Sequence, residues 1–481
     1  MICGGDFMQV VWGYILIFSY VFMLIFCAGP LLKKKTDVEF SRKTVHIALF
    51  VVWVLIDLFM KNTVHQVIVP FVFLVLNWLS YKFHFYKSLE REENDHMGIV
   101  YFAAAVLVVM TLSLFFPSLY LPGGAAIFCL TFGDGFAALI GSRVSSRKIR
   151  EHKSVAGYVA CGLACMTALF SFRALYWPQL PVEYVFLLAG LGAVAELTEG
   201  GKDNFTVTGM VMVAGWAVQE MASFALTEAF LWGWLVFQVV FLSGAIDYPG
   251  SLLSMAIVFV FRYFGGRESL FFLLLTYFTI FILGKLYAGR EKEIKQHQGR
   301  VLLQIFINGI LGLIAMLYFG LTGEKWLQWL AVIAIGGNFI DSLSSDAGRF
   351  SAQLPYDFFH KKSVEKGMSG GMTVLGTGCA MVGSLLTGVY SGFVMQAEAV
   401  VACLIGVMVF AQTLLDTWMG SILQAKYQCC KCGKITEKKK HCSQETDHVF
   451  GKKWMDNNMV NMISSGIIVL ISIPLLIILV R

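Results

Sequence analysis

The chain has 481 residues, of which 57% are hydrophobic and 14% charged, with a formal net charge of +6. That balance excludes a soluble enzyme with a single anchor and gives a polytopic membrane protein, whose basic residues report orientation and not nucleic-acid binding. Most of the 11 cysteines stand singly in apolar segments, so no disulfide framework is implied.

Apolar windows of about 20 residues predict an all-α fold of about sixteen transmembrane helices in two bundles. The first window, 8–30, is too long for a cleaved leader and is followed by Lys33-Lys34-Lys35, which marks a retained span. The last is 460–480. Walking the spans puts six basic loops on one side, expected to be cytoplasmic, and both termini on the other. Ile246-Asp247-Tyr248-Pro249-Gly250 interrupts the apolar pattern and suggests two domains, 1–245 and 246–481, the second with a cytoplasmic Cys/His loop at 426–455.

Four polar patches stand out in the first domain. Arg42, Lys43 and His46 open the second span, with Arg42 and His46 on one helix face. Asp134 lies inside an apolar segment among Gly133, Gly135, Ala137, Ala138 and Gly141. Small residues allow close helix packing, but packing does not explain a carboxylate in a span, which is costly and points to function, here a Mg²⁺ ligand. A basic run then leads to Lys153-Ser154 and Gly157 at the start of a helix, an arrangement suited to a phosphate. Glu196, Asp203 and Asn204 close the set, with carboxylates placed to hold metal or accept a proton.

Arg42-Lys43-x-x-His46, Gly133-Asp134-x-x-Ala137-x-x-x-Gly141, Lys153-Ser154-x-x-Gly157 and Glu196 with Asp203-Asn204 occur in order. Together they resemble the phytol kinase and dolichol kinase family and the related yeast-type diacylglycerol kinase. The resemblance covers about residues 35–225 and implies a CTP-dependent membrane kinase of lipid alcohols. Ala156 and Tyr158 stand where that family usually has Glu and Ser, and Ser145 where it has Gly.

In the second domain Arg300, Gln304 and Asn308 form one polar helical stripe. Asp341 and Asp346 end the next span, spaced to hold or bridge divalent ions. Lys366, Gly367, Ser369, Gly370 and Gly371 offer successive amides for an anion nest, although no Walker A pattern is present. Asp416, Gln424, Asp456, Asn457 and Asn461 follow. These positions resemble the membrane family that includes plant phytyl-phosphate kinase, over about residues 245–480, with Asp346 in place of that family's usual Glu. Cys429-x-x-Cys432 with His441 and Cys442 has zinc-ligand spacing, and a reduced, metal-free hairpin is the plainer reading.

The combined expectation is a fused pair of kinases using Mg²⁺ and CTP or ATP. The first would act on a lipid alcohol through Asp134, Glu196 and Asp203. The second would act on the lipid monophosphate through Asp341, Asp346 and Asp416. No nucleic-acid partner is expected. A CDP-diacylglycerol synthase-like cytidylyltransferase and a transporter are the rivals. The two halves are further expected to share one plan, with Lys153-Ser154 matching Lys362-Ser363.

Overall fold

A computed structural model describes residues 4–61, 63–83, 97–149, 153–198, 201–221, 223–290 and 302–480. The helices in chain order are α1 (Gly4–Phe22), α2 (Gly29–Lys35), α3 (Val38–Ala48), α4 (Phe50–Met60), α5 (His65–Phe83), α6 (Gly98–Phe115), α7 (Tyr120–Gly141), α8 (Val155–Leu175), α9 (Val182–Glu196) and α10 (Asp203–Met221). They continue with α11 (Phe224–Leu242), α12 (Tyr248–Tyr263), α13 (Gly266–Arg290), α14 (Leu302–Thr322), α15 (Lys325–Phe350), α16 (Val374–Phe393), α17 (Ala399–Ile422) and α18 (Asn457–Val480). Six short strands lie in the connections: β1 (Tyr356–Asp357), β2 (Lys362–Ser363), β3 (Lys426–Cys429), β4 (Ile435–Thr436), β5 (Lys440–His441) and β6 (Gln444–Phe450).

Among the described residues, 12 helical segments are long and apolar enough to cross a membrane. That is fewer than the sequence windows suggest. α9 has 15 residues and α12 has 16, too short to span a bilayer core unaided. α10 is longer but carries Asp203, Asn204, Gln219 and Glu220, which lower its hydropathy.

The chain forms two compact units, Met1–Thr227 and Glu228–Arg481. The division falls one helix before the Pro249-Gly250 interruption, because Val236 and Val240 of α11 are buried in the core of the second unit. There Arg262 and Arg267 share the carboxylate of Glu228.

Each unit is built around one buried helix. In the first, α7 is the axis: 72% of its most apolar stretch is buried, against 22–39% for the other candidate spans up to α8. α3, α8 and α10 pack on it. Small residues make this approach feasible; a Cβ at Gly133 would lie 2.6 Å from Cys165 Sγ on α8. In the second unit α15 is the axis, also 72% buried, with α14, α16, α17 and α18 around it. β3–β6 form a four-stranded antiparallel sheet, in the order β4-β3-β6-β5, between α17 and α18.

Candidate functional site

The first unit gathers all four sequence patches at the C-terminal end of α7. Asp37 caps α3 by accepting from the Phe40 amide, which sets the helix that carries Lys43 and His46. Lys43 Nζ donates to Asp134 Oδ1 at 2.6 Å. His46 Nε2 lies 3.3 Å from Asp134 Oδ2 but outside hydrogen-bond geometry, so this buried nitrogen has no hydrogen-bond partner. Lys153 Nζ donates to Glu196 Oε1 at 2.5 Å and to Asp203 Oδ2 at 3.0 Å. Burial alone would lower the Lys153 pKa, but Glu196 and Asp203 outweigh it and hold the ammonium above the ordinary lysine range. Arg42 is paired with Glu39 at 2.7 Å. Asn204 turns its amide to Gly201 O and Asp203 Oδ1 and fixes the start of α10.

Asp134, Glu196 and Asp203 bring carboxylate oxygens within 4.8 Å of one another. Lys43 answers Asp134, while Lys153 is shared by Glu196 and Asp203. Glu196 is 3% exposed, and its Oε2 has no hydrogen-bond partner. A buried carboxylate oxygen without a donor is expensive. Three hard oxygen donors within 4.8 Å of one another therefore fit a divalent cation such as Mg²⁺.

This cluster forms one end of a cavity of about 850 Å³. The other end is apolar, lined by Trp53 and Ile56 of α4, Val69 of α5, Ala103 and Met110 of α6 and Ile127 of α7. From Gly98 to Met110 along α6 the lining runs about 18 Å at 1.5 Å per residue. A charged head region thus opens into a hydrocarbon slot, the shape of a single-chain lipid with a polar end.

The second unit repeats the backbone framework of this site. Ser154 caps α8 by accepting from the Gly157 amide at 3.2 Å, and Thr373 caps α16 by accepting from the Gly376 amide at 3.0 Å. A Cβ on Gly157 would meet Ala137 O at 2.9 Å and Gly141 Cα at 3.4 Å. A Cβ on Gly376 would meet Ser344 O at 2.8 Å and Gly348 Cα at 3.5 Å. Ala137 and Gly141 follow Asp134 at the same spacing as Ser344 and Gly348 follow Asp341. The helices that follow match as well. α9 ends at Glu196 and α10 opens with Asp203-Asn204; α17 carries Asp416 and α18 follows Asp456 with Asn457. The counterpart of Ser154 is therefore Thr373. The expected match to Ser363 fails because Lys362-Ser363 lies on the exposed strand β2.

Other second-unit residues fall differently from expectation. Asp416 accepts from Ser464 Oγ at 3.0 Å, and the Asn461 amide faces the same carboxylate at 3.1 Å. Asp346 pairs with Arg349 at 3.4 Å, one turn on. Asp341, Asp346 and Asp416 do not close into a three-carboxylate cluster as tight as that of the first unit. Gln304 and Asn308 are half-buried on α14, where Asn308 O accepts from Asn338. Arg300 lies outside the described residues.

The expected anion nest requires correction. Gly367 and Gly370 have φ of +87° and +86°, as a nest needs, but Gly370 packs against Ser421, where a Cβ would lie 2.5 Å from Ser421 Cα. The Ser369 amide donates to Glu437 Oε1 at 2.7 Å, Lys366 is bound to Ser351 O, and Gly371 is wedged between Val364 and Pro355. These contacts hold the loop in place and take up two of the donors expected for phosphate, the Ser369 amide and the Lys366 ammonium. Asp456 caps α18 through the Met459 amide, next to Asn457. Gln424 is 1% exposed, and neither polar atom of its amide has a hydrogen-bond partner.

Two second-unit polar networks escaped sequence reasoning. Asn338 joins Asn308 O, Gln412 and Ser465 inside the bundle. Asp357 is buried and accepts from Ser421 Oγ and from the Phe359 and His360 amides, with His360 Nδ1 at 2.9 Å. Both Ser421 Oγ and the same ring nitrogen of His360 are turned to Asp357, so the trio anchors a loop and does not activate the serine. Asn338 and Gln412 carried a signal, as polar side chains in apolar spans.

Residues 231–469 match the family model described as integral membrane protein DUF92. The chain is also similar to the uncharacterized membrane protein MJ0933 of Methanocaldococcus jannaschii, at 26% identity over 189 residues, covering 38% of this chain and 77% of the archaeal protein. No solved structure matches the chain.

Proposed function

We propose that this membrane protein is a bifunctional lipid kinase. The first unit transfers the γ-phosphoryl group of a nucleoside triphosphate, CTP by preference, to an isoprenoid alcohol. The second transfers another to the monophosphate, giving an isoprenyl diphosphate by salvage. The observation that carries this reading is the apolar cavity ending at Asp134, Glu196, Asp203, Lys43 and Lys153. The apolar segments, about sixteen in the sequence, would lie in the membrane in two bundles, the short α9 and α12 without crossing it unaided, with the active-site loops cytoplasmic.

The alcohol lies with its chain in the slot and its hydroxyl at the carboxylates. The hydroxyl oxygen forms a bond to the γ-phosphorus, the bond from that phosphorus to the β–γ bridging oxygen breaks, and the nucleoside diphosphate leaves. The hydroxyl proton passes to the free oxygen of Glu196, which is buried and without a donor. Asp134 and Asp203 would hold Mg²⁺, which neutralises phosphate charge when bound. Lys43 and Lys153 hold these carboxylates in register and supply positive charge to the head region. In the second unit Asp341 and Asp416 take the corresponding roles on the repeated framework.

The test is purified protein in detergent given farnesol, geranylgeraniol or phytol with CTP labelled at either the α- or the γ-phosphate. Label from the γ position in lipid monophosphate and diphosphate supports the proposal. Label from the α position marks a cytidylyltransferase, and no transfer from CTP or ATP to any of these alcohols removes the kinase reading.

A further inference from the structure

The β3–β6 sheet carries a second cluster with a different chemistry. Its first turn runs from Cys429 to Cys432 and ends at Gly433, whose φ is +70°. Gly433 N donates to Cys429 O at 2.8 Å, Cys429 N donates to Lys434 O at 2.9 Å, and the turn closes on itself. This folded Cys-x-x-Cys-Gly turn presents both sulfurs on one side. The second turn, from β5 to β6, places Cys442 and Ser443 at φ of +52° and +63°, a left-handed pair without glycine. It brings His441 and Cys442 back to the first turn. His441 Nδ1 lies 3.5 Å from Cys432 Sγ and 3.3 Å from Cys442 Sγ, and the ligand atoms of all four residues lie within 4.8 Å of one another.

We infer that Cys429, Cys432, His441 and Cys442 form a structural zinc site. Tetrahedral zinc, with Zn–S of about 2.3 Å and Zn–N of about 2.0 Å, sets neighbouring ligand atoms about 3.5–3.8 Å apart. The observed His–Cys separations are close to that spacing. Three thiolates and one imidazole select zinc over the hard cations that suit the carboxylates. His448, the other histidine near these cysteines in sequence, faces Tyr427 and takes no part. Cys430 also stands aside, its thiol turned to Asp447 at 3.3 Å.

The metal has a mechanical consequence. The sheet it closes carries Lys434 and Glu437. Lys434 pairs with Glu365 at 3.1 Å, and Glu437 accepts from the Ser369 amide at 2.7 Å. Zinc thus fixes the clamp that holds the Gly367–Gly371 loop onto the end of α17.

The test uses the full chain purified in detergent without chelator or added metal. Elemental analysis is expected to give about one zinc per chain, lost in Cys432→Ser and His441→Ala and retained in Cys430→Ser. Cobalt exchange is expected to give the absorption of tetrahedral, thiolate-bound Co²⁺. Hydrogen exchange across residues 365–371 is expected to slow at least tenfold when zinc is restored to stripped protein. Wild-type chain that retains no zinc and gives no cobalt spectrum overturns the site. Zinc kept in full by both ligand variants does so as well. Zinc loading without slower exchange at 365–371 overturns the clamp.

Discussion

Lys43 and Asp134 stand 91 residues apart in the chain and 2.6 Å apart in the fold. Lys43 is 5% exposed, so the pair survives only because each charge answers the other. Removing one partner leaves a buried charge, which costs about 3–5 kcal/mol. Lys43→Met is therefore expected to lower the unfolding temperature of the detergent-solubilised chain. Adding Asp134→Asn to Lys43→Met is expected to restore most of that loss. A double-mutant cycle by thermal unfolding checks it; additive losses would contradict the pairing.

The proposed activities are expected to separate the two units. Asp134→Asn is expected to reduce lipid monophosphate formation at least about 100-fold. Asp341→Asn is expected to leave that step intact and to accumulate the monophosphate. Thin-layer analysis of labelled lipid products distinguishes the two outcomes; loss of monophosphate formation in Asp341→Asn, or loss of diphosphate formation from supplied monophosphate in Asp134→Asn, would refute two separate sites.

On the proposed function, the apolar arm of the cavity is expected to select the substrate by chain length. Ala103 lies on its wall and is 4% exposed. Ala103→Trp fills the slot beyond the head region. The Michaelis constant for geranylgeraniol is expected to rise at least about tenfold, with that for a short prenyl alcohol nearly unchanged. An equal effect on both chain lengths would show that the arm does not hold the chain.

Gly157 and Gly376 offer a parallel test of the repeated framework. A methyl group at either position meets a backbone oxygen, at 2.9 Å from Ala137 O and at 2.8 Å from Ser344 O. Each alanine variant is expected to lose about 1–3 kcal/mol of stability. Gly209, where a Cβ would meet nothing within 4 Å, serves as the neutral control. Protease resistance, followed separately for fragments of each unit, reports the losses.

The loop of the second unit should respond to acid. Burial raises the Asp357 pKa, but hydrogen bonds from the His360 backbone and ring, Ser421 and the Phe359 amide outweigh it and hold the carboxyl below its ordinary range. A depressed folded pKa contributes stability above the unfolded value of about 3.9, lost as pH falls from there through the folded pKa. Proteolysis or hydrogen exchange at residues 355–363 should accelerate over that acid range. Asp357→Asn should already exchange fast at neutral pH and lose the pH dependence.

The membrane character and the polar patches that gather in the first unit were legible in the sequence by itself. Apolar length identified the membrane class though not the number of spans, and a carboxylate such as Asp134 inside one is too costly to be incidental. The patches from Lys43 to Asn204 could be named for the same reason. What they touch was decided by tertiary packing. Lys153 serves Glu196 and Asp203, and the Ser369 amide goes to Glu437. The match of Ser154 with Thr373 is hidden because the second connection between helices is about twice as long as the first. Periodicity and composition act over a few helical turns, whereas helix contacts and loop folding depend on residues brought together from distant parts of the chain.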